Sequence, residues 1–152
     1  MKLPKRKQNR LPCYDYSSAN VYFLTVCTAE RKLLFWTSED GTLSHYGEIA
    51  KHVILDIPKH YTSVTVDHYA VMPNHIHLLL QIQADSDGRR IGAPTISNLM
   101  NQMKGAVSRQ IGKPVWQKGF YDHIVRTDAD YQAIWNYIEG NPSKWKEDKY
   151  HI

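Results

Sequence analysis

Two histidines separated by a single residue, His75 and His77, are the closest pair of histidines in this 152-residue chain. In a strand, successive side chains point to opposite faces, so His75 and His77 share one face while Ile76 and Leu78 turn to the other, towards a core. Two imidazoles side by side can bind one divalent metal. Two are too few to hold it tightly, so a third protein group is expected, with positions left open for water or substrate. The residues able to supply it are His68, Asp122, His123, Glu139 and Asn141. The pair opens a strand directly after the turn Met72-Pro73-Asn74, where a ligand can reach it. By spacing alone a structural role is equally compatible.

A nucleophile beside such a metal is sought among ten tyrosines. Residues 129–140 read as a helix whose apolar stripe is Tyr131, Ile134, Trp135 and Ile138, which makes Tyr131 a packing residue. Tyr137 lies roughly 110° from the centre of that stripe, on its flank. Asn141, four residues on, falls on the same flank if the last turn persists, although Pro142 pushes Asn141 towards an extended conformation. Geometry alone leaves Tyr137 either a surface residue or a catalytic one.

The elements that must position these groups alternate along the chain. Residues 21–28 (VYFLTVCT) are β-branched and aromatic, a strand pattern. Residues 30–46 are turn-rich, with Asp40-Gly41 as a tight-turn signal. Ile49, Val53 and Ile57 give 48–57 helical spacing, with Pro58 as its expected stop. Residues 63–71 and 75–82 form two strands joined by a hairpin turn at Pro73-Asn74. A polar loop follows at 83–94. A helix over 95–111 places Ile96, Leu99, Met100, Met103 and Val107 on one face and stops at Gly112. Residues 115–126 read as a strand interrupted near Gly119, and Asp128 as the N-cap of the last helix. The sequence predicts one α+β domain over 1–152 of ferredoxin-like type, an antiparallel sheet with helices packed on it. It begins with a basic arm (1–12) and ends in a short polar tail (143–152).

Composition constrains the function. A chain of this length buries roughly 70% of its unfolded surface, so it needs no disulfide to fold. Cys13 and Cys27 lack metal or redox spacing. No apolar run of about 18 residues suggests a membrane span, and the basic, polar N-terminus does not read as a signal peptide. A cytoplasmic location is therefore expected. The net charge of +4 and pI near 9.0 favour a polyanionic partner. Lys2, Lys5, Arg6, Lys7 and Arg10 crowd the first ten residues, an arm able to contact phosphates.

The run VMPNHIHLLL, followed some sixty residues later by NYIEGNP, resembles the single-tyrosine HUH (His-hydrophobic-His) transposases, and within them the REP-associated tyrosine transposases. Tyr14-Asp15-Tyr16 ahead of VYFLTVCT, then Arg31, resembles the family's opening. The stretch VWQKGFYDHIVR before the tyrosine helix matches as well, and the likeness spans residues 10–146. The resemblance implies that His75 and His77 bind the metal, Mg2+ or Mn2+, and that Tyr137 is the nucleophile. Asn141, where related transposases place a polar ligand, would complete the metal site. It implies cleavage of single-stranded DNA at palindromic hairpins through a 5′-phosphotyrosine and rejoining of strands, by a monomer or a homodimer. Lys5, Arg6, Arg10, Arg31, Lys104, Arg109, Lys118 and Arg126 are the residues expected at the DNA. Bases exposed in single strands stack on aromatic rings, and Tyr14, Tyr16, Trp116, Phe120 and Tyr121 are available for this.

Two other functions compete: a catalytically idle protein that binds DNA hairpins, and a metal-dependent hydrolase of a small molecule with His123 completing its site. The hydrolase gains ground if Tyr137 stands more than about 10 Å from both histidines, because nucleophile and metal must share one phosphate.

Overall fold

The computed structural model describes residues 19–83 and 94–151. The basic arm with Lys5, Arg6 and Arg10, the aromatics Tyr14 and Tyr16, and most of the 83–94 loop lie outside these residues. The described chain folds as strand β1 (Ala19–Cys27), helix α1 (His45–His60), strand β2 (Val64–Val71) and strand β3 (His75–Gln83). Helix α2 (Ile96–Ile111), strand β4 (Tyr121–Val125) and helix α3 (Asp128–Gly140) follow, and a 3-10 segment, Pro142–Glu147, closes the order.

The four strands pair antiparallel in the order β2-β3-β1-β4. This is the split β-α-β arrangement of a ferredoxin-like domain, so the fold is the expected α+β sandwich. The register sets what each face carries. His77 stands opposite Thr25, and Thr25 in turn opposite Tyr121, while Leu79 stands opposite Phe23 and Phe23 opposite His123. One face therefore presents His75, His77, Phe23, Thr25, Tyr121 and His123. The other presents Leu24, Ile76, Leu78 and Leu80, all fully buried. Burying each of those four side chains contributes about 1.5–3 kcal/mol.

Both faces of β3 are covered, which is why its histidines are as buried as its leucines. Helix α3 lies over the histidine face: Tyr137 meets His77 and Phe23, and Trp135 meets His68. Helices α1 and α2 pack on each other through buried stripes that include Ile54, Ile57, Leu99 and Met103. Gly47 lets α1 approach the preceding loop, since a Cβ there would sit 2.2 Å from the Phe35 carbonyl oxygen.

The main departures of element boundaries from the sequence reading each have a specific cause. Helix α1 begins at His45 because the Ser44 hydroxyl accepts the Gly47 N–H. Pro58 does not stop it. The missing N–H removes one rung near the C-terminus, and the Tyr61 N–H still reaches the Ile57 carbonyl. The strand expected over 115–126 shrinks to Tyr121–Val125, because Val115 and Trp116 pair with Ala29 and Thr28 instead. The N-cap of α3 is Thr127, whose hydroxyl accepts the Asp130 N–H, and not Asp128.

The largest departure is the tail. Asn141 keeps right-handed helical backbone (φ −61°, ψ −46°), so the chain runs straight from α3 into the 3-10 segment. Trp145 is buried against Trp36, and Tyr150 lies on His75, ring centroids 4.4 Å apart. The stretch read as a polar tail is a packed part of the domain.

Candidate metal and nucleophile site

His75, His77 and Asp148 place one ligand atom each within 4.8 Å of one another. Strand β3 supplies the histidines on a shared face; the docked C-terminal segment supplies the carboxylate, with Asp148 Oδ2 3.7 Å from His75 Nε2. Four polar side-chain atoms in this region are buried without a hydrogen-bond partner among the described residues: His75 Nε2, His77 Nε2, Asn141 Oδ1 and Asp148 Oδ2. A cluster of orphaned acceptors costs free energy unless something positive sits among them.

The outer nitrogens of the two rings are held. Asn74 donates its Nδ2 hydrogen to the Tyr150 carbonyl, which leaves its Oδ1 to accept from His75 Nδ1–H at 2.8 Å. His75 Nε2 then carries a bare lone pair. His77 Nδ1 lies 2.8 Å from Thr25 Oγ1, and donation to that hydroxyl leaves His77 Nε2 bare in the same way. Such outer partners fix the tautomer and orientation of ligating histidines. Burial pushes both imidazoles down to a pKa of about 3, His77 helped by its neighbour His75 and both by the nearby positive charge of Lys149. At neutral pH both rings are therefore uncharged, the form that binds metal.

These donors fit a divalent cation. Donors on opposite sides of one ion at bond lengths of 2.0–2.6 Å stand about 4–5 Å apart, which matches the spread of the cluster. Two imidazoles with carboxylate and carboxamide oxygens make a mixed N/O donor set for a divalent cation, and the set contains no thiolate. Cys27 is opposite His75 in the β1–β3 ladder but is not among the three clustered groups.

The other expected third ligands are engaged elsewhere. His68 Nε2 pairs with Glu139 Oε1 at 2.8 Å and His123 Nε2 with Asp130 Oδ2 at 2.7 Å. Asp122 stands opposite Leu24, on the far face of the sheet. Among the described residues the clustered carboxylate is Asp148, which the sequence reading did not include. Its available signal was Trp145 and Tyr150, two large aromatics in an otherwise polar stretch.

Tyr137 sits where the helical count placed it, on the flank of α3. It is 42% exposed, with its ring 5.3 Å from that of His77. At that distance nucleophile and metal can share one phosphate, so the condition that would favour the small-molecule hydrolase is not met. Asn141 lies beside Tyr137 and both imidazoles, and its amide pulls the phenol's pKa down. Burial outweighs that effect, and the Asp148 charge adds to burial, so the phenol's pKa is raised overall. Tyr131 is buried and hydrogen-bonded to Asp67, as a packing residue should be.

Of the basic residues, Arg31 and Lys118 line a cleft of about 350 Å3 next to Thr25 and Tyr150. Lys104 is turned inward and donates to the carbonyls of Gln117 and Gly119, at 2.9 and 2.8 Å, holding up the loop that carries Lys118. Arg109 lines a separate groove between α1 and α2, and Arg126 is exposed just after β4. Trp116 packs on Phe35, whereas Phe120 and Tyr121 line the Arg31–Lys118 cleft. No helix among the described residues is long and apolar enough to cross a membrane.

No established family profile matches the chain. A Haemophilus influenzae protein assigned to the REP-associated tyrosine transposases is 25% identical over 138 residues, covering 86% of this chain and 74% of that protein. The REP-associated tyrosine transposase of Escherichia coli K12 is 24% identical over 130 residues, covering 85% and 70%. A solved structure of a REP-associated tyrosine transposase bound to a REP hairpin superposes with a TM-score of 0.66 at 22% identity, over 87% of this chain and 72% of that one. The ferredoxin-like sheet is the fold this chain shares with that solved transposase. The chain is thus similar, over most of its length, to the REP-associated tyrosine transposases.

Proposed function

We propose that this protein is a metal-dependent endonuclease and strand-joining enzyme that acts on single-stranded DNA hairpins, with Tyr137 as its nucleophile. The observation that carries the reading is the cluster of four unpartnered buried atoms, on His75, His77, Asn141 and Asp148, beside a half-exposed tyrosine. An idle hairpin-binding protein has no use for such a cluster. The solved relative is bound to a REP hairpin, and the same class of substrate is proposed here.

His75, His77 and Asp148 would hold the cation, with Asn141 as a fourth donor, and Asn74 and Thr25 would fix the imidazoles. A divalent metal there supplies charge to offset and orient an anionic phosphodiester. The chain's own groups do the rest. Neutral imidazoles keep their lone pairs directed inward. Asn141 steadies the developing phenolate, since its amide favours the charged form of Tyr137. Attack by Tyr137 Oη forms the O–P bond, breaks the P–O3′ bond and leaves a 5′-phosphotyrosine and a free 3′-hydroxyl. The phosphotyrosine conserves the ester bond, so a 3′-hydroxyl attacking it rejoins strands without ATP. Arg31 and Lys118 offer positive charge to the flanking backbone.

Incubation with hairpin DNA and Mn2+, followed by a denaturing gel, tests the reading. The wild-type chain is expected to give a covalent protein–DNA band, and Tyr137→Phe to bind the DNA without forming it. An adduct that persists in Tyr137→Phe would overturn the assignment.

A further inference from the structure

Two clefts flank the histidine pair, and their linings differ. One, of about 280 Å3, is lined by Tyr137, Asn141, Lys144 and Asp148. The other, of about 350 Å3, is lined by Thr25, Arg31, Lys118, Phe120, Tyr121 and Tyr150. His77 touches both, meeting the Tyr137 ring of the first and the Thr25 hydroxyl of the second. We propose that the second cleft holds the last nucleotide of the strand that leaves, keeping its 3′-hydroxyl in place for rejoining. This rests on the reading of Tyr137 as nucleophile.

The direction follows from the chemistry. In phosphoryl transfer the attacking and leaving oxygens lie roughly in line. Tyr137 attacks from the first cleft, so O3′ departs away from it, and the cleft without the nucleophile receives the released end. The 5′-phosphate stays on Tyr137. As the P–O3′ bond breaks, O3′ takes up the proton that the phenol gives up. In the return step the held O3′ attacks phosphorus, the tyrosine O–P bond breaks and the proton returns to the phenolate.

The cleft is built for one nucleotide. Tyr121, Thr25 and His77 are successive partners across three neighbouring strands with side chains on one face. Tyr121 therefore stands two strand spacings, about 10 Å, from His77, a span one extended nucleotide covers. At 58% Tyr121 is the most exposed large aromatic among the described residues, and an uncovered ring is a platform for a base. Arg31 and Lys118 have no ion-pair partner among the described residues. Glu30 and Arg31 hold left-handed backbone, φ +56° and +55°, which non-glycine residues rarely adopt and which clusters at ligand sites. The loop is also fixed in advance, by Lys104 on Gln117 and Gly119 and by the Gln117 N–H on the Cys27 carbonyl.

Photo-crosslinking tests this on the full chain with Mn2+, using a hairpin oligonucleotide with 5-iodouracil either as the last base before the scissile phosphate or as the first after it. The upstream probe is expected to crosslink within residues 117–121, and the downstream probe outside them. The reverse pattern, or an upstream crosslink confined to α3 and its following segment, overturns the proposal. A second measurement guards against silent crosslinks. In Tyr121→Ala the ratio of rejoined strand to covalent adduct should fall about tenfold; an unchanged ratio overturns the proposal while leaving Tyr137 in its role. Absence of any adduct from the wild-type chain would overturn the underlying reading instead.

Discussion

Acidification should destabilise this fold steeply, and the two site histidines should be the cause. Each has an ordinary pKa of 6.5, and burial holds each at about 3 in the folded chain. Between pH 6.5 and 3 the unfolded chain therefore binds more protons than the folded one, so stability rises with pH in that window. It is full above about pH 6.5 and is lost as pH falls towards 3. From pH 7 to pH 5, one site with these two values loses about 2 kcal/mol, and the pair about 4 kcal/mol, at 1.36 kcal/mol per unit of pKa difference. Against a total of about 5–15 kcal/mol this is a large share. Urea unfolding in EDTA, followed by circular dichroism at pH 7, 6 and 5, measures it. The control is the double variant His75→Gln, His77→Gln, in which the pH 7-to-5 loss should shrink by about 4 kcal/mol. Equal pH dependence in the two proteins, or a wild-type chain that gains stability on acidification, would refute the reasoning. Added Mn2+ at 100 times its Kd should raise wild-type stability at pH 7 by about 2.7 kcal/mol and do little for the double variant.

Other expectations follow from the same contacts. Asn74→Ala removes the partner of His75 Nδ1 and an anchor of Tyr150; Mn2+ affinity by isothermal titration should fall about 10–100-fold. Trp145→Ala empties a buried site between Trp36 and His75, and urea unfolding should show a loss of about 3–5 kcal/mol. Because Trp145 seats the segment that carries Asp148, the same variant should also bind Mn2+ more weakly while still folded in low urea.

Much of the fold was legible because strand and helix periods are local properties. The alternation around His75 fixed that both histidines share a face, and the 100° step along α3 separated flank Tyr137 from core Tyr131. Those two statements, with the hairpin at Pro73-Asn74 and the strand-helix order, follow from the periods of the strand and the helix. Helix ends were less legible. Whether Ser44 or Thr127 caps a helix depends on a single hydroxyl's rotamer, and Pro58 is tolerated only because the helix ends within a turn of it.

Tertiary structure alone decided the third ligand. No spacing rule links Asp148 to His75, since the two meet only because Trp145 and Tyr150 find an apolar seat against Trp36 and the His75 ring. Long-range packing also drew His68 into a pair with Glu139, while His123 pairs across the β4–α3 turn with Asp130, and Lys104 supports the 117–119 loop. The sequence by itself determined which groups share a face of one element. Which faces meet, and so which donors surround a single point, was settled by burial of apolar surface far along the chain, a sum over contacts that local pattern does not encode.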